Sequence, residues 1–348
     1  MNPLFSTDPH ANALVFSEQK RQQETLTLIA SENYASPAVL EAAGTMYTNK
    51  YADGVPGHRD YPGCGPCDEI EELARQRLCA LFGTEYANVQ PYCGSIANSA
   101  VFLATLRPGD TLLSMSVEDG GHPTHGSPEN LSGRLYPAVR YGVDPASGLI
   151  DEAEIAALAK KERPKMLICG ASSYPRRIDF RAFAEIAEET GTLCLADIAH
   201  VAGLIAAGLY PSPGGRIPLI TTTTHKTLRG PRGGAVLCDT TYADAIDAAV
   251  YPGLQGGPLM HIIAAKAVCF AEAATAEFRR YAGQVLTNAT VLAKTLDGEG
   301  IALATGGTET HLMIADLEGR DRHLRGRGRA GPRDCRHLRR PLPLPRPE

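Results

Sequence analysis

No stretch of the 348 residues stays apolar long enough to span a bilayer, and the N-terminus has no basic segment followed by an apolar one: Asp8 and His10 simply precede Ala11 to Phe16. Neither a membrane anchor nor a secretory leader is expected. A strong charge of either sign is also lacking. Lys and Arg number 34 against 39 Asp and Glu, a formal net charge of −5, so no nucleic-acid partner is expected. A metal-ligand pattern is missing too. His122 and His125 fall within one turn in Gly120-Gly121-His122-Pro123-Thr124-His125-Gly126, but no carboxylate or cysteine pattern completes a coordination set.

Cysteine is not scarce, at nine residues, yet Cys169, Cys194, Cys238 and Cys269 lie inside apolar runs, where a free thiol behaves as a small hydrophobe. Reduced thiols and a cytoplasmic setting are expected. Cys64-Gly65-Pro66-Cys67 spells the thioredoxin redox motif. That motif follows a buried strand, however, and Asp60-Tyr61-Pro62-Gly63 reads as a loop, so the pair is assigned to a Gly/Pro-rich active-site loop.

Strand-like apolar runs alternate with amphipathic helical ones. Ala87–Gln90, Thr111–Met115, Leu135–Val139, Met166–Cys169, Thr192–Ala196, Leu219–Thr223 and Ala235–Cys238 read as strands. Asp68–Leu81, stopped by Gly83, and Asp179–Thr190, stopped by Gly191, read as helices. Such alternation predicts an α/β protein with a mostly parallel central sheet flanked by helices, its active site at the strand ends.

The chemistry is concentrated in Thr221-Thr222-Thr223-Thr224-His225-Lys226-Thr227-Leu228-Arg229-Gly230-Pro231-Arg232-Gly233-Gly234. A lysine just beyond a Thr-rich strand, beside a histidine and ahead of a Gly-rich loop, is placed to be desolvated, lowered in pKa and condensed with an aldehyde. Asp197 ends the apolar run Leu193-Cys194-Leu195-Ala196, where its carboxylate emerges at a strand tip and can hold a proton on a ring nitrogen. Gly94-Ser95 opens a helix after a strand, a phosphate-binding arrangement. Gln255-Gly256-Gly257-Pro258 is a second anion-friendly loop.

Residues 217–234 resemble the pyridoxal phosphate (PLP) lysine segment of the serine hydroxymethyltransferases, and the resemblance extends from Leu26 to about Leu317. It implies the fold of the type I PLP-dependent transferases. On it, residues 1–35 are an N-terminal arm, 36–280 a large PLP-binding domain and 281–318 the start of an incomplete C-terminal small domain. It also implies PLP held covalently by Lys226, with His225 beside it, Asp197 on the pyridinium, His122 on the ring face with His125 close by, and Ser172 and His200 bonding the cofactor. Gly94 and Ser95 hold the phosphate, joined by Gly256 and Gly257 from a neighbouring subunit. Tyr51, Asp53 and Tyr61 lie on the stretch that crosses into the partner's site, and Ser31 and Arg232 match substrate-side residues. The implied activity is interconversion of serine and glycine with one-carbon transfer to tetrahydrofolate, in a homodimer or dimer-based tetramer.

The chain departs from the family pattern in several places. Asp53 stands for a glutamate, Cys93 for a hydroxyl residue and Pro123 for a leucine placed against folate. Asp53, Ile96 and Pro123 suggest an alternative, folate-independent cleavage of β-hydroxy amino acids. The arginine that pairs with the substrate carboxylate in the family falls beyond the family-like text, which leaves an inactive truncated subunit as a further reading. From 319 to 348 the chain has ten Arg against Asp321, Asp334 and Glu348, a charge of +7 that leaves −12 on the rest. This Arg/Gly/Pro-rich segment has no helical or strand period. It is read as a disordered, non-native tail of the kind a shifted reading frame gives, in preference to a nucleic-acid arm.

Overall fold

The computed structural model describes residues 3–317; the segment read as a non-native tail lies outside them. The central sheet has seven strands: β1 (Tyr86–Asn88), β2 (Leu112–Met115), β3 (Ala138–Tyr141), β4 (Met166–Cys169), β5 (Leu193–Asp197), β6 (Leu219–Thr223) and β7 (Gly234–Cys238), in the order β1-β7-β6-β5-β4-β2-β3. Only β7 runs against the others, antiparallel to both β1 and β6. The rest are parallel. The expected α/β architecture is the one observed.

Strand periodicity explains how the sheet is covered. Leu113, Leu167, Cys194, Ala196, Ile220 and Leu237 join one buried cluster, while Leu112, Met166, Ile168, Leu195, Leu219 and Val236 join another. Alternate residues therefore feed opposite faces, and both faces are apolar because helices cover both. Of the helices, α1 (Pro9–Glu24) buries no residue, α2 (Gly65–Phe82) packs in the first cluster, and α3 (Gly94–Thr105) covers the second face with Ala97, Ala100, Val101 and Phe102. The next, α4 (Phe180–Thr190), is capped by Asp179, whose carboxylate accepts from the Arg181 and Ala182 N–H groups, and ends at left-handed Gly191. Met260–Ala273 (α5) and Ala276–Gly298 (α6) complete the first face. No helix among the described residues is long and apolar enough to cross a membrane.

Two expectations need correction. Leu135–Val139 is not a strand: the Asn130 side chain caps a short helix, Leu131–Leu135, and pairing with β2 starts only at Ala138, after Pro137, which has no N–H to give the ladder. The helix expected from Asp68 begins at Gly65, with Pro66 in its first turn, so Cys67 is helical and Cys64 is its N-cap. Both thiols are buried and free.

Phe183 is fully buried on α4 against Tyr141, ring centroids 5.9 Å apart. Phe183→Ala should cost about 3–5 kcal/mol of stability, read as a lowered denaturant midpoint with an unchanged slope.

Candidate active site

The parallel strands end on one edge of the sheet, and a cavity of about 570 Å³ opens there. It is lined by Ser31, Gly94, Ser95, His122, Ser172, Asp197, His200, His225, Lys226 and Arg232. Every residue expected to hold the cofactor within one subunit is thus brought to one place, from segments spread between Gly94 and Lys226, with the substrate-side Ser31 and Arg232 beside them.

Lys226 sits in a braced turn beyond β6. Thr224 Oγ1 donates to Pro231 O at 2.6 Å, the Gly230 N–H donates to Thr224 O, and Thr227 Oγ1 donates to His200 O at 2.7 Å. Asn33 Nδ2 donates to Lys226 O at 3.0 Å, which fixes the segment carrying Ser31 against the same turn. Burial lowers the lysine's pKa, Arg232 lowers it further, and Asp197 opposes both. Burial likewise pulls His122 and His225 down to about 4 and His200 to about 3, so these rings are neutral near pH 7.

Asp197 follows Ala196 in β5 and so faces the side covered by α3. There Asn98 Nδ2 donates to its Oδ2 at 2.9 Å, and His125 Nε2 donates to the same oxygen at 2.8 Å. Burial alone would raise this carboxyl. The hydrogen bond from His125, with Asn98 and Lys226, instead holds it well below the ordinary carboxylate range. Asn98 is itself oriented, since Thr221 Oγ1 donates to its Oδ1 at 2.6 Å and it donates to Thr124 Oγ1 at 2.8 Å. His122 Nδ1 accepts from the Thr124 N–H at 3.2 Å, which orients the ring in the cavity wall with the His125 ring tilted beside it, centroids 5.7 Å apart.

The first residue of α3, Gly94, packs closely on β6: a Cβ there would lie 2.6 Å from Thr223 Cγ2. These residues fit PLP. A buried ionised carboxylate, a desolvated amine, a helix N-terminus, and Ser95 and Ser172 hydroxyls without partners among the described residues border one cavity of suitable size.

Tyr51, Asp53, Tyr61, Gly256 and Gly257 do not line this cavity. They form a separate patch: the Tyr51 and Tyr61 rings meet edge to face at 5.5 Å, Tyr92 Oη donates to Gly257 O at 2.7 Å, and a Cβ on Gly257 would lie 2.8 Å from Asp53 Oδ1. Asp53 Oδ1 is buried without a partner. The patch is held to α2 by Arg59, which donates to Asp68 Oδ1 and Glu71 Oε2 at 2.8 and 2.6 Å and to the Ala52 and Gly54 carbonyls. Cys64 Sγ donates to Tyr61 O at 3.2 Å. Of the Cys-Gly-Pro-Cys pair, Cys64 thus ties this loop to the start of α2.

Sequence reasoning missed Asn98 and the part played by His125, and it missed His311, whose ring stacks on His200 with centroids 5.7 Å apart. A signal for Asn98 was available. It lies one helical turn after Gly94, on the same face of a helix whose other buried residues are apolar, where an amide needs a buried partner.

A cavity at the strand ends of a mostly parallel sheet, with a desolvated lysine and a buried carboxylate in its wall, is the arrangement of a type I PLP-dependent enzyme. The serine hydroxymethyltransferase family profile matches residues 4–329. The chain is 56% identical over 317 residues to a serine hydroxymethyltransferase from Methanospirillum hungatei, an alignment covering 91% of this chain and 77% of that relative. The chain belongs to the serine hydroxymethyltransferase family, PLP-dependent transferases that interconvert serine and glycine with one-carbon transfer to tetrahydrofolate.

Proposed function

We propose that this chain acts as a cytoplasmic homodimer, alone or paired into a tetramer, that takes the hydroxymethyl carbon from serine, passes it to tetrahydrofolate and releases glycine, with PLP on Lys226. The observation that carries this reading is that Lys226 and Asp197 line one cavity, near enough for the carboxylate to oppose the fall in the lysine's pKa. PLP, when bound, supplies an electron sink for charge developing at the substrate Cα.

The protein's part is to bind, orient and move protons. Lys226, lowered by burial, offers a free amine to the cofactor aldehyde more readily than an exposed lysine would. Asp197, kept ionised by His125 and Asn98, holds a proton on the ring nitrogen. His122 offers a neutral ring face for stacking, Ser172 and His200 bond the cofactor, and His225 stays neutral beside the lysine. Gly94, Ser95 and, from the other protomer, Gly256 and Gly257 take the phosphate. Ser31 and Arg232 take the amino-acid carboxylate.

Asp53, with Tyr51 and Tyr61, handles the serine hydroxyl proton in the opposite protomer's cavity. Its unpartnered buried oxygen is an acceptor awaiting a donor. Large apolar side chains near the N-terminus support the dimer: Phe16 is 67% exposed, Leu26 94%, Leu28 81% and Tyr51 62%. All eight described cysteines are free, which suits a reducing compartment.

Absorbance of the purified chain with PLP, followed by glycine formation from serine with and without tetrahydrofolate, tests the activity. A visible band with folate-dependent turnover is the expected result; folate-independent cleavage of serine would replace this reading with the aldolase one. Shared sites are tested by mixing. Lys226→Ala and Asp53→Ala proteins, each inactive, should regain measurable turnover when unfolded together and refolded, because one hybrid site keeps both residues. No recovery from well-folded hybrids would place all catalytic groups in one chain.

A further inference from the structure

Lys266 lies outside the cavity, in the apolar run Ala264-Ala265-Lys266-Ala267-Val268-Cys269 of α5, and is 1% exposed. Its Nζ donates to three backbone carbonyls, Val89 at 2.6 Å, Gly234 at 2.8 Å and Pro91 at 3.1 Å. No carboxylate pairs with it among the described residues: Glu71, the acid that most favours its charge, already accepts from Arg59 and Gln90. Three acceptors match the three N–H groups of an ammonium, whereas a neutral amine has only two. A buried, unpaired cation is costly to keep for packing alone.

The three carbonyls belong to the segments that meet at the cavity's anion end. Val89 and Pro91 lead from β1 into Cys93-Gly94-Ser95 at the start of α3, and Gly234, which opens β7, donates its N–H to Pro91 O. The fit is close on every side. A Cβ on Gly234 would lie 2.4 Å from Cys93 O, and one on Gly233 2.5 Å from Lys266 Cε. Gly233 O accepts from the Thr224 N–H at 3.1 Å, so the same joint reaches the Lys226 turn. Gln255 braces it from another side, donating to Gln90 O and accepting from the Tyr92 N–H.

We propose that Lys266 is a positioning residue for the phosphate end of the site: by clamping the carbonyls of Val89, Pro91 and Gly234 it aims the backbone at the start of α3 toward an anion, and its unpaired charge favours that anion. Burial pulls this ammonium down to about 7, and an anion bound nearby would help retain the proton that burial opposes. The inference rests on the PLP reading given above, and the test separates the two.

Apo-protein is titrated with PLP and with pyridoxal, which lacks the phosphate, and its thermal midpoint is measured with added inorganic phosphate. In Lys266→Met the preference for PLP over pyridoxal should fall by about ten-fold or more, and stabilisation by inorganic phosphate should vanish while pyridoxal affinity holds. Lys266→Gln, which keeps two donors, should fall between. Equal weakening of both aldehydes, or no change in either, overturns the proposal. If the methionine variant does not fold, the glutamine variant carries the same comparison; if neither folds, Lys266 serves the fold as a whole and the proposal is wrong. Wild-type protein that takes up neither aldehyde sinks the PLP reading instead.

Discussion

Lys226→Ala should lower serine turnover by about 10³-fold or more, because it removes both the nucleophile and a group able to carry a proton at the reacting carbon. The variant should fold normally, since the turn around residue 226 is held by Thr224, Thr227 and Asn33 through backbone atoms the substitution leaves in place. It should bind PLP without covalent capture, so that borohydride followed by peptide mapping labels the Lys226 peptide in wild-type protein and nothing in the variant. In wild-type protein, capture should slow as pH falls through the lysine's lowered pKa and the amine gains its proton. A pyridoxyl label on another lysine of properly folded wild-type protein would dismantle the assignment of the site.

The second large effect belongs to Asp197. Asp197→Asn keeps the shape and can still meet Asn98 and His125, but it removes the negative charge that both are aligned to meet. Turnover should drop by about 10³-fold, the scale of losing one preorganised charge aimed at the reacting group. The covalent bond to Lys226 should still form. His125→Ala should behave as a milder copy, since Asn98 remains. An asparagine variant with wild-type turnover would show that the ring nitrogen needs no anionic partner here.

The alternation of strands and helices was legible because the central strands are buried on both faces and bounded by turn residues, which left runs such as Leu219–Thr223 and Met166–Cys169 unmistakable. Leu135–Val139 misled because an apolar run around Pro137 has no period long enough to separate a helix end from a strand start. At the site, Lys226 and Asp197 were readable because a charged residue at the end of an apolar strand has no packing reason to be there. His125 was not, because two nearby histidines look alike in sequence and only the fold decides which one reaches Asp197 and which is oriented by Thr124 instead. Lys266 was hidden for the opposite reason: its partners are carbonyls, which carry no side-chain signature.

The contact between Gly94 and the Thr223 methyl binds two distant positions into one unit of change. A methyl gained at 94 has to be given up at 223, and the order matters: loss at 223 first leaves a gap that the new methyl fills, whereas gain at 94 first forces the tip of β6 and the start of α3 apart. The tip of β6 and the first residue of α3 are thus coupled, with one order of change open and the other strained.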